Sequence, residues 1–157
     1  MIGINRLQLQ VERLIMGAWG YLAFDNDTTN DWADNLDTVD NLSLVESAFD
    51  EIEDVGDEYL DADIASEALG ACEVIARLLG NPGYTNTYTE KVDLWVAIHQ
   101  IKPSTELVNR ASAAIDRILS DNSELRELVE EGDEGDKNND WHKVMDDLRK
   151  RLQFRKL

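Results

Sequence analysis

The stretch Asp61-Ala-Asp-Ile-Ala-Ser-Glu-Ala-Leu-Gly-Ala-Cys-Glu-Val-Ile-Ala-Arg-Leu-Leu79 decides how this chain is read. Advancing about 100° per residue from Ile64, the residues Ile64, Ala68, Ala71, Cys72, Ile75, Leu78 and Leu79 fill most of a helical wheel. Ser66, Gly70, Glu73 and Arg77 make its narrow polar side. A helix that is apolar over so much of its circumference is covered by neighbours on more than one side, so the pattern predicts a central helix. Gly80 follows as a C-terminal stop. Glu67 falls inside the apolar arc, between Val74 and Leu78, and is predicted to be a buried structural acid. Such a carboxylate needs hydrogen-bond donors or a proton. The Trp19-Gly20 loop, the Trp19 indole or a neighbouring helix end are the expected donors. Glu73 and Arg77 read as an ordinary surface i,i+4 pair, and Cys72 as a small core residue.

Outward from this helix the same period recurs. Upstream, Asp27 is expected to cap a short helix carrying Trp32 and Leu36. A second follows Asn41, with Leu44 or Val45, Ala48, Phe49 and Ile52 on one stripe. Downstream, Tyr88 to His99 predicts a fourth helix with Val92, Trp95 and Val96 inward and Ile98 a further inward candidate. Ser104 caps a fifth, striped by Leu107, Val108, Ala111, Ile115, Ile118 and Leu119. A short sixth begins near Asn122 with Leu125, Leu128 and Val129. An acidic, Gly-containing loop from Gly132 to Asn139 precedes a last helix with Trp141, Val144, Met145, Leu148 and Leu152 on its stripe and a basic end. Pro82 and Pro103, the only prolines, fall between helical patterns. The expected fold is all-α: a compact single-domain bundle of about six or seven helices with an irregular Trp- and Gly-containing N-terminal segment.

The 157 residues, 43% of them hydrophobic, suffice for one domain with a real core. The single cysteine rules out an intramolecular disulfide and a cysteine-built zinc site, which points to a reducing compartment, the cytoplasm. The apolar run Leu14–Ala23 is not expected to be a signal peptide, because Glu12 lies in the would-be basic region and Tyr21-Leu22-Ala23 lacks a small residue for cleavage. No run reaches the length of a membrane helix.

Charge is distributed unevenly. Of the net −18, residues 1–15 contribute +1 and residues 77–157 contribute −2. From Met16 to Ala76 there are 17 acids and no Lys or Arg. Such a field repels nucleic acid and anionic membranes and attracts basic partners or cations.

The most distinctive string is Gly17-Ala-Trp-Gly-Tyr-Leu-Ala-Phe-Asp-Asn-Asp27, leading into Asp31-Trp32. With Tyr59-Leu-Asp-Ala-Asp63, Ala65-Ser-Glu-Ala68, Ala71, Glu73, Val74, Ser123-Glu-Leu-Arg-Glu-Leu128 and Trp141, it resembles a bacterial family catalogued as domain of unknown function 4259. The resemblance runs over most of the chain from Met16 onward and departs at Tyr21-Leu22-Ala23, where the family usually has a further glycine. It implies kinship of fold and no activity. Because it begins at Met16, and Val11-Glu12-Arg13 can be encoded as GTG-GAG-AGG, which looks like a ribosome-binding site, residues 1–15 are expected to be a translated leader and 16–157 the helical domain.

Asp25, Asp27 and Asp31 offer carboxylate oxygens to a hard cation, but their spacing fails the twelve-residue calcium loop, with Asn30 at position six and Leu36 at position twelve. The favoured account is that Asp27 caps a helix and Asp25 holds the preceding loop by an Asx turn. His99 and His142 lack partners at metal spacing, the serines lack a nucleophile-elbow setting, and no phosphate loop exists. The expectation is therefore a non-catalytic acidic binding protein that needs no cofactor, an inhibitor or immunity-type protein masking a basic partner such as a nuclease toxin. Asp50, Glu53, Asp54 and Asp57 are the expected partner-binding acids. Neither nucleic acid nor membrane is expected as a partner. The alternatives are a metal-dependent enzyme using Asp25, Asp27 and Glu67, or a structural subunit of an assembly.

Overall fold

The computed structural model describes residues 21–132 and 140–153 and places seven α-helices in them. The expected leader, the Trp19-Gly20 segment and the acidic loop beyond Gly132 lie outside the described residues. The helices are α1 (Asp27–Asp34), α2 (Ser43–Val55), α3 (Ala62–Leu78), α4 (Glu90–Ile98), α5 (Thr105–Leu119), α6 (Glu124–Gly132) and α7 (Asp140–Arg151). Short 3-10 turns at Asn35–Thr38 and Thr87–Thr89 follow α1 and precede α4. The chain is all-α as expected, and none of its described helices is long and apolar enough to cross a membrane.

Local chemistry explains where these helices begin and end. Asn26, one residue before the expected cap Asp27, accepts the Thr29 N–H at 2.8 Å. Asp61 accepts the Asp63 N–H at 2.7 Å to open α3, and Ser104 accepts the Leu107 N–H at 3.1 Å to open α5. At the far end of α3, Gly80 takes φ 89° and donates to the Arg77 carbonyl, while Asn81 donates to Ala76. That pair of bonds is a Schellman stop, which needs a left-handed residue at Gly80.

Helix α3 touches each of the other six helices. Its surface is made for this, because Ala65, Ala68, Ala71, Cys72 and Ala76 are fully buried and small. Small contacts let neighbouring axes approach closely. One close approach is that of α1 over Gly70. A Cβ on Gly70 would lie 2.8 Å from Thr29 Cγ2 and 3.0 Å from Trp32 Cε3. Thr29 also donates its hydroxyl to the Ser66 carbonyl at 3.1 Å, so α1 is bonded to the α3 backbone as well as packed on it.

Around α3 the stripes read from the sequence supply the core: Val45, Phe49 and Ile52 from α2, Ile115 and Ile118 from α5, and Trp141, Met145 and Leu148 from α7 are buried. The exception is on α4, where Val92 and Trp95 turn inward but Ile98 is 66% exposed. Ile98 is the last residue of a nine-residue helix, past the reach of the core.

Gly70→Ala is expected to lower unfolding free energy by about 1–3 kcal/mol, the usual cost of overpacking a close helix contact, as read by urea denaturation.

Candidate functional site

The narrow polar side of α3 does not face solvent. Ser66 and Gly70 lie under α1, and Glu73 and Arg77 lie under the 80–86 loop and α7, with Glu73 1% and Arg77 5% exposed. The expected surface pair is thus a buried one. Arg77 donates to Glu73 and, through Nε, to Asp93 of α4 at 2.8 Å. Arg151, from the last turn of α7, donates to both carboxylate oxygens of Glu73 at 2.9 and 2.6 Å. Its remaining bonds go to Asp147, at 2.9 Å, and to the Asn81 and Pro82 carbonyls. The Tyr84 ring lies near both guanidiniums, with the Arg77 Cζ 5.0 Å and the Arg151 Cζ 5.9 Å from its centroid. Burial works against the charge of Arg151, yet the bonds to Glu73 raise its pKa on balance. Gly83 makes room for this, since its φ is 69° and a Cβ there would fall 2.5 Å from Arg151 Nε.

Glu67, the acid expected to be buried, is only half-buried. Partial burial raises its pKa, and the nearby Glu51 and Asp63 carboxylates raise it further. The inward role falls to Glu73 because the covering elements, α1, α7 and the 80–86 loop, converge on the polar strip.

Of the 17 acids between Met16 and Ala76, all but Asp25, Glu67 and Glu73 are exposed. Asp50, Glu53, Asp54 and Asp57, the expected partner-binding residues, lie on α2 and the turn after it. Two of them are engaged within the chain: Arg110 of α5 bonds Asp50 at 2.6 Å and Glu53 at 2.7 Å. Arg117 likewise donates to the Gly56 and Glu58 carbonyls, holding the turn that carries Asp57.

A groove of about 670 Å³ opens between the turn after α1 and helix α4. Leu36, Val39 and Trp95 contribute apolar wall, and the Trp95 indole fastens the two sides by donating to the Val39 carbonyl at 3.0 Å. Leu94 and Ile98, one turn apart and 62% and 66% exposed, line its α4 side. Asp37, Asp40 and Glu90 also line it and are exposed. Lys91, the one Lys or Arg among the lining residues, is paired with Asp34.

The candidate chemical residues take structural places. Asp25 accepts the Leu22 N–H at 3.2 Å, and burial raises its pKa against that bond. Asp27 is exposed in the first turn of α1. Among the described residues no three His, Cys, Asp or Glu gather as a metal-binding group, so Asp25, Asp27 and Glu67 do not converge. Burial pushes the Cys72 thiol up, away from nucleophilic use. His99 ends α4, its Nδ1 3.0 Å from the Trp95 carbonyl and its ring stacked 4.5 Å from the indole.

Residues 17–143 match the family described as Domain of unknown function (DUF4259), and the chain belongs to that family. No curated protein and no solved structure matches it.

Glu73→Ala is expected to destabilise the protein by about 3–5 kcal/mol in denaturant titration, because it strands two buried guanidiniums. Glu67→Gln is expected to act in the opposite direction. Since the folded pKa of Glu67 lies above its ordinary value, the folded state holds the proton more tightly, and stability falls as pH rises through the raised pKa. The glutamine variant should therefore melt higher than wild type at neutral pH, with the gain shrinking toward the ordinary carboxylate pKa.

Proposed function

We propose that this chain is a non-catalytic acidic binding protein of the inhibitor or immunity type, which covers a basic partner such as a nuclease toxin. The observation that carries the reading is the exposed acidic surface between Met16 and Ala76, on which 14 carboxylates stand in a segment without a Lys or Arg of its own. A carboxylate field of this density steers cationic proteins into encounter and rejects nucleic acid. The strongly engaged charged groups serve the fold: Glu73 joins α3 to α7, and Arg110 joins α5 to α2. That leaves the outward carboxylates for recognition. Binding of this kind needs no cofactor and no turnover.

A pull-down from the native host at low salt is expected to recover a basic protein, with a toxin-like basic protein encoded in the neighbouring reading frame the first candidate. Association rates should fall steeply as salt is added. Asp54→Asn with Asp57→Asn should slow association more than it speeds dissociation. These two positions are preferred for the test because neutralising them leaves the Arg110 clamp on Asp50 and Glu53 intact. Recovery of no basic partner, or an association rate indifferent to salt, would overturn the proposal.

A further inference from the structure

The geometry points to the groove between the turn after α1 and helix α4 as the seat of an amphipathic, cationic segment of the partner, one that buries apolar side chains between Lys or Arg residues. This rests on the proposed binding of a basic protein and says where and how that protein is gripped.

Three features single out this place on the surface of the described residues. The first is apolar area left open by the described residues: Leu94 and Ile98 stand 62% and 66% exposed at i and i+4, so that one helical edge presents two large side chains together. Among the described residues only Tyr59, Tyr88 and Tyr21 are other large exposed hydrophobics, and each carries a hydroxyl that suits it to water. The second is shape. The wall is held by the Trp95–Val39 hydrogen bond and the Trp95–His99 stack, so the cleft exists before a ligand arrives and little ordering is lost on binding. The third is charge complementarity. Asp37 and Asp40 lie on one side and Glu90 on the other, while the Lys91 ammonium is already occupied by Asp34. An anionic or purely apolar occupant would leave these carboxylates repelled or desolvated without compensation. A cationic amphipathic one satisfies both the rim and the floor, which is the helix-in-groove mode of peptide recognition.

The test uses the full chain and three labelled synthetic peptides, followed by fluorescence anisotropy at low salt. One peptide has leucine and lysine at helical spacing, the second replaces its lysines with glutamate, and the third replaces its leucines with serine. The leucine–lysine peptide is expected to bind, the leucine–glutamate peptide to show no binding, and the serine–lysine peptide to bind at least about tenfold more weakly. Leu94→Ser with Ile98→Ser, both at exposed positions and checked for folding by circular dichroism, should weaken the leucine–lysine peptide about tenfold or more, as loss of a central apolar anchor does. Asp37→Asn, Asp40→Asn and Glu90→Gln together should weaken it and flatten its salt dependence.

Equal binding of the two cationic peptides, unaffected by the Leu94 and Ile98 changes, would overturn the groove while leaving the acidic-binding reading intact. A protein dimer that the same double variant splits, seen by sedimentation, would overturn it too, with a second copy as the occupant. Failure of both cationic peptides to bind at low salt would count against the groove and the acidic-binding reading together.

Discussion

Glu73 is the acid around which the rest of the molecule is arranged. It is 1% exposed, and a carboxylate so placed must have its charge met by donors at good geometry. Arg77, one turn further along the same helix, and Arg151, 78 residues away, meet it together. Each guanidinium brings further partners. Arg77 reaches α4 through Asp93 and the loop through the Tyr84 carbonyl, and Arg151 reaches the loop through Asn81 and Pro82. A single buried carboxylate thus sets the positions of α3, α4, α7 and the connection between them. Burial of this much charge contributes little net stability compared with an apolar core of the same volume, and its physical effect is to make alternative arrangements costly.

The helix carrying it solves a second problem, that of touching six neighbours at once. Alanines, Cys72 and Gly70 provide close approach, and α1 uses that closeness to seat Thr29 and Trp32 on the helix backbone. The polar strip of α3 is therefore a set of specific sockets, the Ser66 carbonyl for Thr29 and the Glu73 carboxylate for two arginines.

Periodicity and capping chemistry made the helices legible: the expected helices before Pro82, the stop at Gly80 and the cap at Ser104 all appear. The same wheel misjudged which acid is buried. Hydrophobicity ranks residues by their own preference for water, and by that measure Glu67 among aliphatics looks interior while Glu73 beside Arg77 looks exterior. What reversed the order is the identity of the covering elements, which bring their own polar groups. A signal was present in the small residues of the strip, Ser66 and Gly70, whose size suits contact better than solvation, and in Arg151, which flanks the Leu148 and Leu152 stripe. The exposed acids were readable from composition, but the groove was not. It depends on Ile98 turning outward at a helix end and on the turn after α1 lying opposite α4, neither of which periodicity specifies.

The one-signed segment from Met16 to Ala76 has a consequence for how the chain is made. Among the described residues, the cations that engage its outer carboxylates, Lys91 for Asp34 and Arg110 for Asp50 and Glu53, follow it in the chain, as does the Arg151 that completes Glu73. During synthesis this segment therefore emerges as a self-repelling polyanion ahead of those counter-charges. Its helices α1 and α2 can already pack on α3 of the same half, but the cations of α4 and α5 that meet their outer carboxylates follow later. Until they do, repulsion among those carboxylates opposes the packing of α1 and α2 on α3, and dissolved salt is what screens it.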